Sequence, residues 1–167
     1  PTKALCQDQY RGFARLLAAA EGGDPDATGH TVLAGVYDGD TPAPLRRRLR
    51  EAGRAVFTNP DMLHAALLPQ HGRWAGFLGG LRFLVLDELH VKSGLFGANV
   101  ANLLRRLERV CAHYGARPQI AACSATLASP TELARRLTGR EMRILDEDGS
   151  VSAARTYVLL NPSRIRG

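Results

Sequence analysis

Two adjacent carboxylates at the end of an apolar run are the residues in this sequence best suited to chemistry. Residues 83–90 read FLVLDELH, so Asp87 and Glu88 directly follow a predicted strand. Ligands of open α/β sheets bind beyond the carboxyl ends of the strands. There Asp87 can hold Mg²⁺ through water beside nucleotide phosphates, and Glu88 can polarise an attacking water. The alternative is a strand that ends in two solvated acids, and the nearby His90 favours the chemical interpretation.

A second polar group follows another predicted strand. Residues 123–126 read CSAT and precede a predicted helix. The hydroxyls of Ser124 and Thr126 could sense an occupied nucleotide site and relay its state. The alternative is an ordinary strand-to-helix turn, in which Ser and Thr are common.

Three further segments combine polar side chains with free backbone N–H groups. Residues 1–5 (PTKAL) and 58–62 (TNPDM) begin predicted helices, and residues 38–41 (DGDT) form a predicted turn. A helix N-terminus attracts anions because its first N–H groups lack partners within the helix. Simple capping explains each segment equally well, so phosphate binding is one of two interpretations.

The elements that position these groups alternate between helix and strand. The predicted helices are residues 5–20, 43–52, a stretch opening at 59–60, 96–114 and 131–137; the predicted strands are 31–37, 55–58, 81–86, 120–123, 142–145 and 156–160. Residues 21–30 form a predicted polar loop, and residues 129–132 (SPTE) a predicted capping box. The apolar strands 81–86 and 120–123 predict a sheet covered on both faces. Together these patterns predict a three-layer α/β domain around a mainly parallel sheet.

Composition bounds the class of protein. The 167 residues suit one domain, with 45% hydrophobic and 23% charged residues. No apolar run approaches the roughly 20 residues that span a bilayer, and the N-terminus does not resemble a signal peptide, so we expect a cytoplasmic protein without membrane contact. Cys6, Cys111 and Cys123 are widely spaced and no CxxC or HExxH occurs, which predicts reduced thiols and no structural metal.

The net charge of +6 comes almost entirely from arginine, since Lys3 and Lys92 are the only lysines. Arginine forks match phosphate oxygens, which makes a polyanionic partner plausible. Solvated basic faces of an arginine-rich protein are the alternative, and charge alone does not decide between them.

Four of these segments together resemble a known family. Residues 1–5, 58–61, 87–90 and 124–126 follow the order of motifs Ia, Ib, II and III of superfamily 2 helicases. Residues 59–64, 73–74 and 96–106 sharpen the resemblance to the large bacterial DEAD/DEAH-box DNA helicases typified by the mitomycin-repair helicase MrfA. The resemblance extends over nearly the whole chain.

The resemblance implies a fold, cofactors and partners. Residues 1–160 would be a partial first RecA-like domain of the P-loop NTPase type, and residues 161–167 would begin a linker to a second RecA-like domain of the same parent chain. ATP and Mg²⁺ are the implied cofactors. The implied partner is single-stranded or partly duplex DNA. The implied polarity of translocation is from 3′ to 5′, and the implied role is DNA repair.

The resemblance also implies roles for single residues. Asp87 would coordinate Mg²⁺ through water and Glu88 would be the catalytic base. His90 and the motif III residues would couple hydrolysis to closure against the second domain; those residues are Ser124, Ala125 and Thr126. A third set would contact the backbone of single-stranded DNA without reading bases. This set comprises Thr2, Lys3, Asp38, Gly39, Asp40, Thr41, Thr58, Asn59, Pro60 and Asp61.

Three departures from the family pattern stand out. Residues 91–94 read VKSG where the family usually has a Thr-Tyr-Arg-Gly-like stretch, and Ser129 stands where the group often has Asn. No G-x-x-x-x-G-K-[ST] phosphate loop occurs, and we expect that loop and its strand upstream of Pro1 in a longer parent protein. The isolated chain should therefore have little ATPase activity. A non-catalytic nucleic-acid-binding relic, or an interaction domain, is the alternative function.

Overall fold

The computed structural model describes residues 3–21, 34–125, 129–146 and 149. Short strands and helices alternate along these residues, as predicted. In chain order the elements are α1 (Lys3–Glu21), β1 (Ala34–Val36), α2 (Ala43–Ala52), β2 (Ala55–Phe57), α3 (Pro60–Met62), a π-helical turn (Leu63–Leu67), a 3-10 turn (His71–Trp74), α4 (Ala75–Gly79), β3 (Phe83–Leu86), a 3-10 turn (Leu89–Val91), α5 (Gly94–His113), β4 (Gln119–Ala122) and α6 (Pro130–Thr138).

The described strands form two parallel pairs. Strand β1 pairs with β2, with Gly35 opposite Val56, and β3 pairs with β4, with Leu84 opposite Ile120. Among the described residues these pairs are separate ladders. The parallel orientation matches the predicted architecture, and it brings the carboxyl ends of paired strands to the same edge.

Helices pack on both sides of the first strand pair. Phe57 of β2 meets the rings of Tyr10 and Phe13 on α1, with centroid distances of 5.9 and 5.5 Å. The neighbouring Val56 faces the opposite way and packs against the buried cluster around Trp74. Successive side chains of a strand point to opposite faces, so one strand joins two helical layers. The predicted three-layer order is confirmed for this strand pair.

Helix α5 joins two apolar clusters. The first cluster contains the buried residues Tyr37, Leu49, Leu67, Leu68, Trp74, Leu78, Leu103, Leu107, Cys111 and Ala116. The second contains Leu86, Leu89, Val100, Ala101, Leu104, Ala134 and Leu137. Residues spaced three and four apart on α5 supply both clusters, as the helical periodicity predicts. Phe96, in the first turn of α5, belongs to neither cluster and is 48% exposed.

The second strand pair is covered on one face only. Leu84 and Leu86 pack inward, whereas Phe83 is 60% exposed and Val85 63% exposed. Strand β4 shows the same alternation, with exposed Gln119 and Ala121. The prediction that these apolar strands are buried on both faces is therefore wrong for the described residues. An apolar run indicates a strand without establishing that a layer packs on each face.

Several predicted boundaries are confirmed within one or two residues. Helix α2 spans residues 43–52 as predicted, and α1 extends the prediction slightly at both ends. Asn59 caps α3, since its side-chain oxygen accepts a hydrogen bond of 2.8 Å from the Met62 N–H. The predicted loop beyond Glu21, residues 31–33 of the first predicted strand and the predicted strand 156–160 lie outside the described residues.

Two local predictions are wrong. Ser129 occupies the N-cap position of α6 but makes no capping hydrogen bond, and the Glu132 carboxylate pairs instead with Arg135 and Arg136 at 3.1 and 2.6 Å. The predicted capping box therefore does not close. Residues 142–145 form no strand. No described strand pairs with them, and an isolated strand gains no ladder hydrogen bonds.

No helix in the described part of the chain is long and apolar enough to cross a membrane.

Candidate active site

The acidic pair lies directly beyond the carboxyl end of β3. Asp87 and Glu88 follow Leu86, the last residue of the strand, and both are half-buried. Glu88 has φ 51° and ψ 56°, and it is the only non-glycine residue with a positive φ in the described part of the chain. A side chain in this left-handed region costs of order 1–3 kcal/mol, and such residues cluster at active sites. The turn therefore maintains a conformation that a free chain avoids.

Asp87 has an oxygen suited to a ligand. Its Oδ2 atom is buried and has no hydrogen-bond partner among the described residues. A buried polar atom without a partner is costly, unless an ion or water satisfies it. Mg²⁺ prefers carboxylate oxygens and keeps several waters, so one such carboxylate together with nucleotide phosphates fits it. No group of three or more His, Cys, Asp or Glu that could hold a metal occurs in the described ranges.

Lys92 holds the backbone of the acidic pair. Its Nζ atom donates to the carbonyl oxygen of Asp87 and, over 2.9 Å, to the carbonyl oxygen of Glu88. The side chain is only 5% exposed. Burial lowers the pKa of Lys92, while the carboxylates of Asp87 and Glu88 oppose that shift. The sequence did not predict this residue as part of the site, although the departure at residues 91–94 marked its position.

His90 and Ser124 connect the turn after β3 to the turn after β4. The His90 N–H donates to Ser124 Oγ over 3.1 Å, and His90 Nδ1 lies 3.4 Å from the same hydroxyl. The same Nδ1 atom also lies 3.1 Å from Glu88 Oε2. Two backbone hydrogen bonds of 2.9 Å, Leu89 N–H to Cys123 O and Cys123 N–H to Leu86 O, support the connection.

These contacts place predicted residues from two motifs in one cluster. Glu88, His90 and Ser124 form a continuous polar chain, although His90 and Ser124 are 34 residues apart in sequence. Ala125 is exposed beside this chain, and Thr126 lies outside the described residues. A network of this kind can transmit a change at the acidic pair to the second strand end, because its members share hydrogen bonds.

The turn at residues 38–41 is held by hydrogen bonds among its own residues. Asp38 Oδ1 accepts from the Asp40 N–H at 3.0 Å and lies 2.8 Å from Thr41 Oγ1. The Asp38 N–H in turn donates to Thr41 Oγ1 over 2.9 Å. Asp38 and Thr41 are buried, whereas Gly39 and Asp40 are exposed. Two of the four predicted nucleic-acid contacts therefore build the turn, and two lie on its surface.

Arg46 of α2 holds this turn from outside. Its Nε donates to Thr41 O over 2.7 Å, and its Nη2 donates to the carbonyl oxygens of Asp38 and Gly39 over 2.8 Å each. Its guanidinium also lies 5.6 Å from the ring centroid of Tyr37. Three carbonyls and one ring surround a single cation. Periodicity and charge could not predict this role, because the four arginines of α2 look equivalent in the sequence.

The segment after β2 lies beside the turn after β1. Thr58 Oγ1 donates to Tyr37 O over 2.8 Å, and the Tyr37 N–H donates to Phe57 O over 2.8 Å. Asn59 caps α3, Pro60 begins it, and Asp61 is exposed. The structure thus brings two of the predicted nucleic-acid segments together at adjacent strand ends.

The third nucleic-acid segment is at the start of α1. Thr2 lies outside the described residues, and for Lys3 only the backbone is described, as the first residue of the helix. The Cys6 thiol of α1 lies 3.7 Å from Thr58 O. Burial raises the pKa of that thiol, and the charges of Asp38 and Asp87 act in the same direction.

Solved structures define the class of this fold, which is the RecA-like α/β domain of helicases. The chain matches a crystal structure of the DUF1998 helicase MrfA bound to DNA and AMPPNP with a TM-score of 0.81 and 43% identity, over 90% of this chain and 20% of that one. The structure of the same helicase bound to DNA alone matches with a TM-score of 0.76 and 45% identity, over 86% of this chain and 18% of that one.

Sequence comparison then places the chain in a family. The sequence profile of DEAD/DEAH box helicases matches residues 1–134, and the chain belongs to that family. The ATP-dependent helicase YprA of Bacillus subtilis is 43% identical, over 97% of this chain and 21% of YprA. The ATP-dependent helicase HRQ1 of Saccharomyces cerevisiae is 42% identical, over 97% of this chain and 15% of HRQ1. The chain thus spans about a fifth or less of the length of these relatives.

Proposed function

We propose that this chain is part of an ATP-dependent DNA helicase or translocase motor and carries its hydrolytic acids. One observation supports this most directly: Glu88, His90 and Ser124 form a connected cluster beyond the carboxyl ends of paired parallel strands. The relatives are ATP-dependent helicases, and one matched structure is that of MrfA bound to DNA and AMPPNP. Residues 1–160 would belong to the first RecA-like domain, with the linker to a second one beginning at 161–167.

In the proposed reaction, Asp87 and Glu88 divide the work. Asp87 would hold Mg²⁺ through water, and the ion would neutralise charge on the nucleotide phosphates. Glu88 would orient the attacking water and accept its proton. His90 holds Oε2 of Glu88 at 3.1 Å, so it restricts the directions in which that carboxylate can point. Phosphoryl transfer depends mainly on positioning and charge stabilisation, which suits this arrangement.

Coupling to a second domain would use the connection between strand ends. His90 and Ser124 share a hydrogen bond, and movement of the turn after β3 would be passed to the turn after β4 through it. We propose that Ser124, Ala125 and Thr126 relay nucleotide state to the second RecA-like domain through this contact.

The proposed DNA track runs along the ends of β1 and β2. Eight residues would contact the backbone of the DNA strand. They are the exposed Gly39 and Asp40, the adjacent Thr58 and Asn59, and Thr2, Lys3, Pro60 and Asp61. Buried Asp38 and Thr41 would act by shaping the turn. Backbone contacts of this kind position a strand without reading its sequence. A role in DNA repair is the wider proposal.

The test is Glu88→Gln in the full-length protein. Glutamine keeps the size of the side chain but cannot take a proton, so we expect DNA-stimulated ATP hydrolysis to fall about 100-fold or more. DNA binding, measured by fluorescence anisotropy, should change less than about two-fold, because Glu88 is not among the proposed DNA contacts. Loss of a contact worth about 1.4 kcal/mol would weaken binding tenfold.

Hydrolysis at the parent rate by Glu88→Gln would contradict the assignment of the base. A parent protein that binds DNA but hydrolyses no ATP would instead indicate the non-catalytic nucleic-acid-binding alternative. A parent protein with neither property would indicate an interaction domain.

A further inference from the structure

A buried lysine lies against the backbone of the acidic pair rather than against its carboxylates. Lys92 is 5% exposed, and its Nζ donates to the carbonyl oxygens of Asp87 and Glu88. Lysine is rarely this deeply buried, because its amino group must keep its hydrogen bonds. Here two carbonyls satisfy two of the amino group's donors.

The local backbone explains how one amino group reaches both carbonyls. The 3-10 turn at Leu89–Val91 is closed by hydrogen bonds from Val91 N–H to Glu88 O and from Lys92 N–H to Leu89 O, of 3.3 and 3.0 Å. This turn reverses the direction of the chain. The amino group of Lys92 therefore reaches the carbonyl oxygens of Asp87 and Glu88.

The backbone of Lys92 packs closely against the first turns of α5. A Cβ atom added at Gly97 of α5 would lie 2.5 Å from the carbonyl oxygen of Lys92, closer than real Cβ contacts come. The missing side chain lets the first turns of α5 pack directly on the backbone of residue 92. The backbone of Lys92 therefore has little room to move toward α5.

The backbone segment that Lys92 holds, residues 87–88, contains the strained residue Glu88. Glu88 adopts the left-handed conformation, and a non-glycine residue stays there only where its surroundings fix it. Rotation of that backbone would redirect the Glu88 carboxylate. A small displacement of a reacting group is costly to rate, because the reactive geometry is narrow.

We propose that Lys92 is a positioning residue for Glu88, acting by holding the carbonyl oxygens of Asp87 and Glu88 so that the carboxylate stays aimed at the attacking water. This inference rests on the proposed function of Glu88 as the base.

A packing role alone makes a different prediction. In that case Lys92 would fill space between the acidic turn and α5, and its replacement would lower stability without acting on Glu88. Three measurements on Lys92 variants distinguish the two roles. They are kcat, KM for ATP, and whether the loss of activity depends on the presence of Glu88.

The experiment compares Lys92→Met and Lys92→Arg in the full-length protein. Methionine keeps an unbranched chain of similar length and removes the donors, whereas arginine retains donors. We expect Lys92→Met to lower kcat for DNA-stimulated ATP hydrolysis about 10- to 100-fold, with KM for ATP within about two-fold. Lys92→Arg should recover a large part of kcat. If Lys92→Met does not fold, Lys92→Leu, which also lacks donors, takes its place under the same criteria.

A double-mutant cycle with Glu88→Gln gives the decisive readout. If Lys92 acts through Glu88, Lys92→Met should change the remaining activity of Glu88→Gln by less than about two-fold, since the two changes are then non-additive. The matched control is Thr138→Val, which removes a buried hydroxyl that donates to Ala134 O over 2.7 Å on α6. It should lower the melting temperature and leave kcat unchanged.

Each outcome decides something. A kcat of Lys92→Met within two-fold of the parent overturns the inference and leaves the proposed function intact. An equal fold-loss in the parent and Glu88→Gln backgrounds, or an equal loss in Thr138→Val, also overturns it, because the effect is then structural. Absence of nucleic-acid-stimulated ATPase activity in the parent protein would contradict both the proposed function and this inference.

Discussion

Single side chains in this domain shape the backbone as much as they contact ligands. Lys92 and Arg46 are both basic, and both donate to two or more backbone carbonyls at the end of a strand. Carbonyl oxygens that converge on one point repel each other unless a donor lies among them. In each case the cation stabilises a turn that carries proposed functional residues.

Arg46 supports a prediction at this scale. Arg46→Met in the full-length protein removes three hydrogen bonds to the turn at residues 38–41, so we expect single-stranded DNA to bind about ten-fold more weakly. Fluorescence anisotropy at fixed salt measures the change.

The matched control for this prediction is Arg47→Met. Arg47 lies on the same helix and makes none of the hydrogen bonds that Arg46 donates to the turn, so its replacement removes the same charge without touching the turn. Equal weakening by both variants would show that overall charge, rather than the shape of the turn, controls DNA binding.

At the scale of elements, the contact between α5 and the turn that ends at Lys92 depends on one glycine. Glycine within a helix is normally unfavourable, by about 1 kcal/mol relative to alanine. At Gly97 the absent side chain allows a backbone contact instead, since an added Cβ would overlap the Lys92 carbonyl.

Opposite effects are therefore expected from the same substitution on two helices. Gly97→Ala should lower stability by about 1–3 kcal/mol, as overpacking does, because backbone atoms must move apart. Gly12→Ala on α1 meets nothing within 4 Å and should raise stability by about 0.5–1 kcal/mol.

Denaturant unfolding of the full-length protein, followed at the transition of this domain, compares the two variants. A stabilising Gly97→Ala would contradict the close approach between α5 and Lys92.

The 167 residues carry a net charge of +6, and their proposed DNA contacts are to phosphates. Binding through phosphates releases counterions, so affinity should fall linearly on a log–log scale with salt, with a slope of about −0.7 per phosphate contacted on single strands. Titration of the full-length protein at several salt concentrations measures this slope. A flat dependence would contradict a track that follows the DNA backbone.

Hydrolysis should require more than these 167 residues, because the sequence contains no G-x-x-x-x-G-K-[ST] loop to cradle the triphosphate. The isolated chain should therefore turn over ATP no faster than its own Glu88→Gln variant, which controls for contaminating ATPases. Turnover clearly above that control would contradict the requirement for a phosphate loop.

Much of the fold could be predicted because its signals are local. Residues 43–52 show helical spacing, Asn59 and Pro60 form a capping pair, and the acids directly follow an apolar run. The interpretation of the apolar strands failed where it needed non-local information. Whether Phe83 and Val85 are covered depends on which layers pack there, and hydropathy does not report that.

The sequence by itself determined the order of most of the described helices and strands, because periodicity and capping act over a few residues. It also determined the presence of an acidic pair and a Ser-Ala turn at strand ends. Only the tertiary structure decided which of these groups meet. Packing between parallel strands brings Ser124 to His90, and the turn after β3 brings the Lys92 amino group to the carbonyl oxygens of Asp87 and Glu88. The left-handed backbone of Glu88 belongs to the same category, since no local preference of glutamate favours it and only its surroundings maintain it.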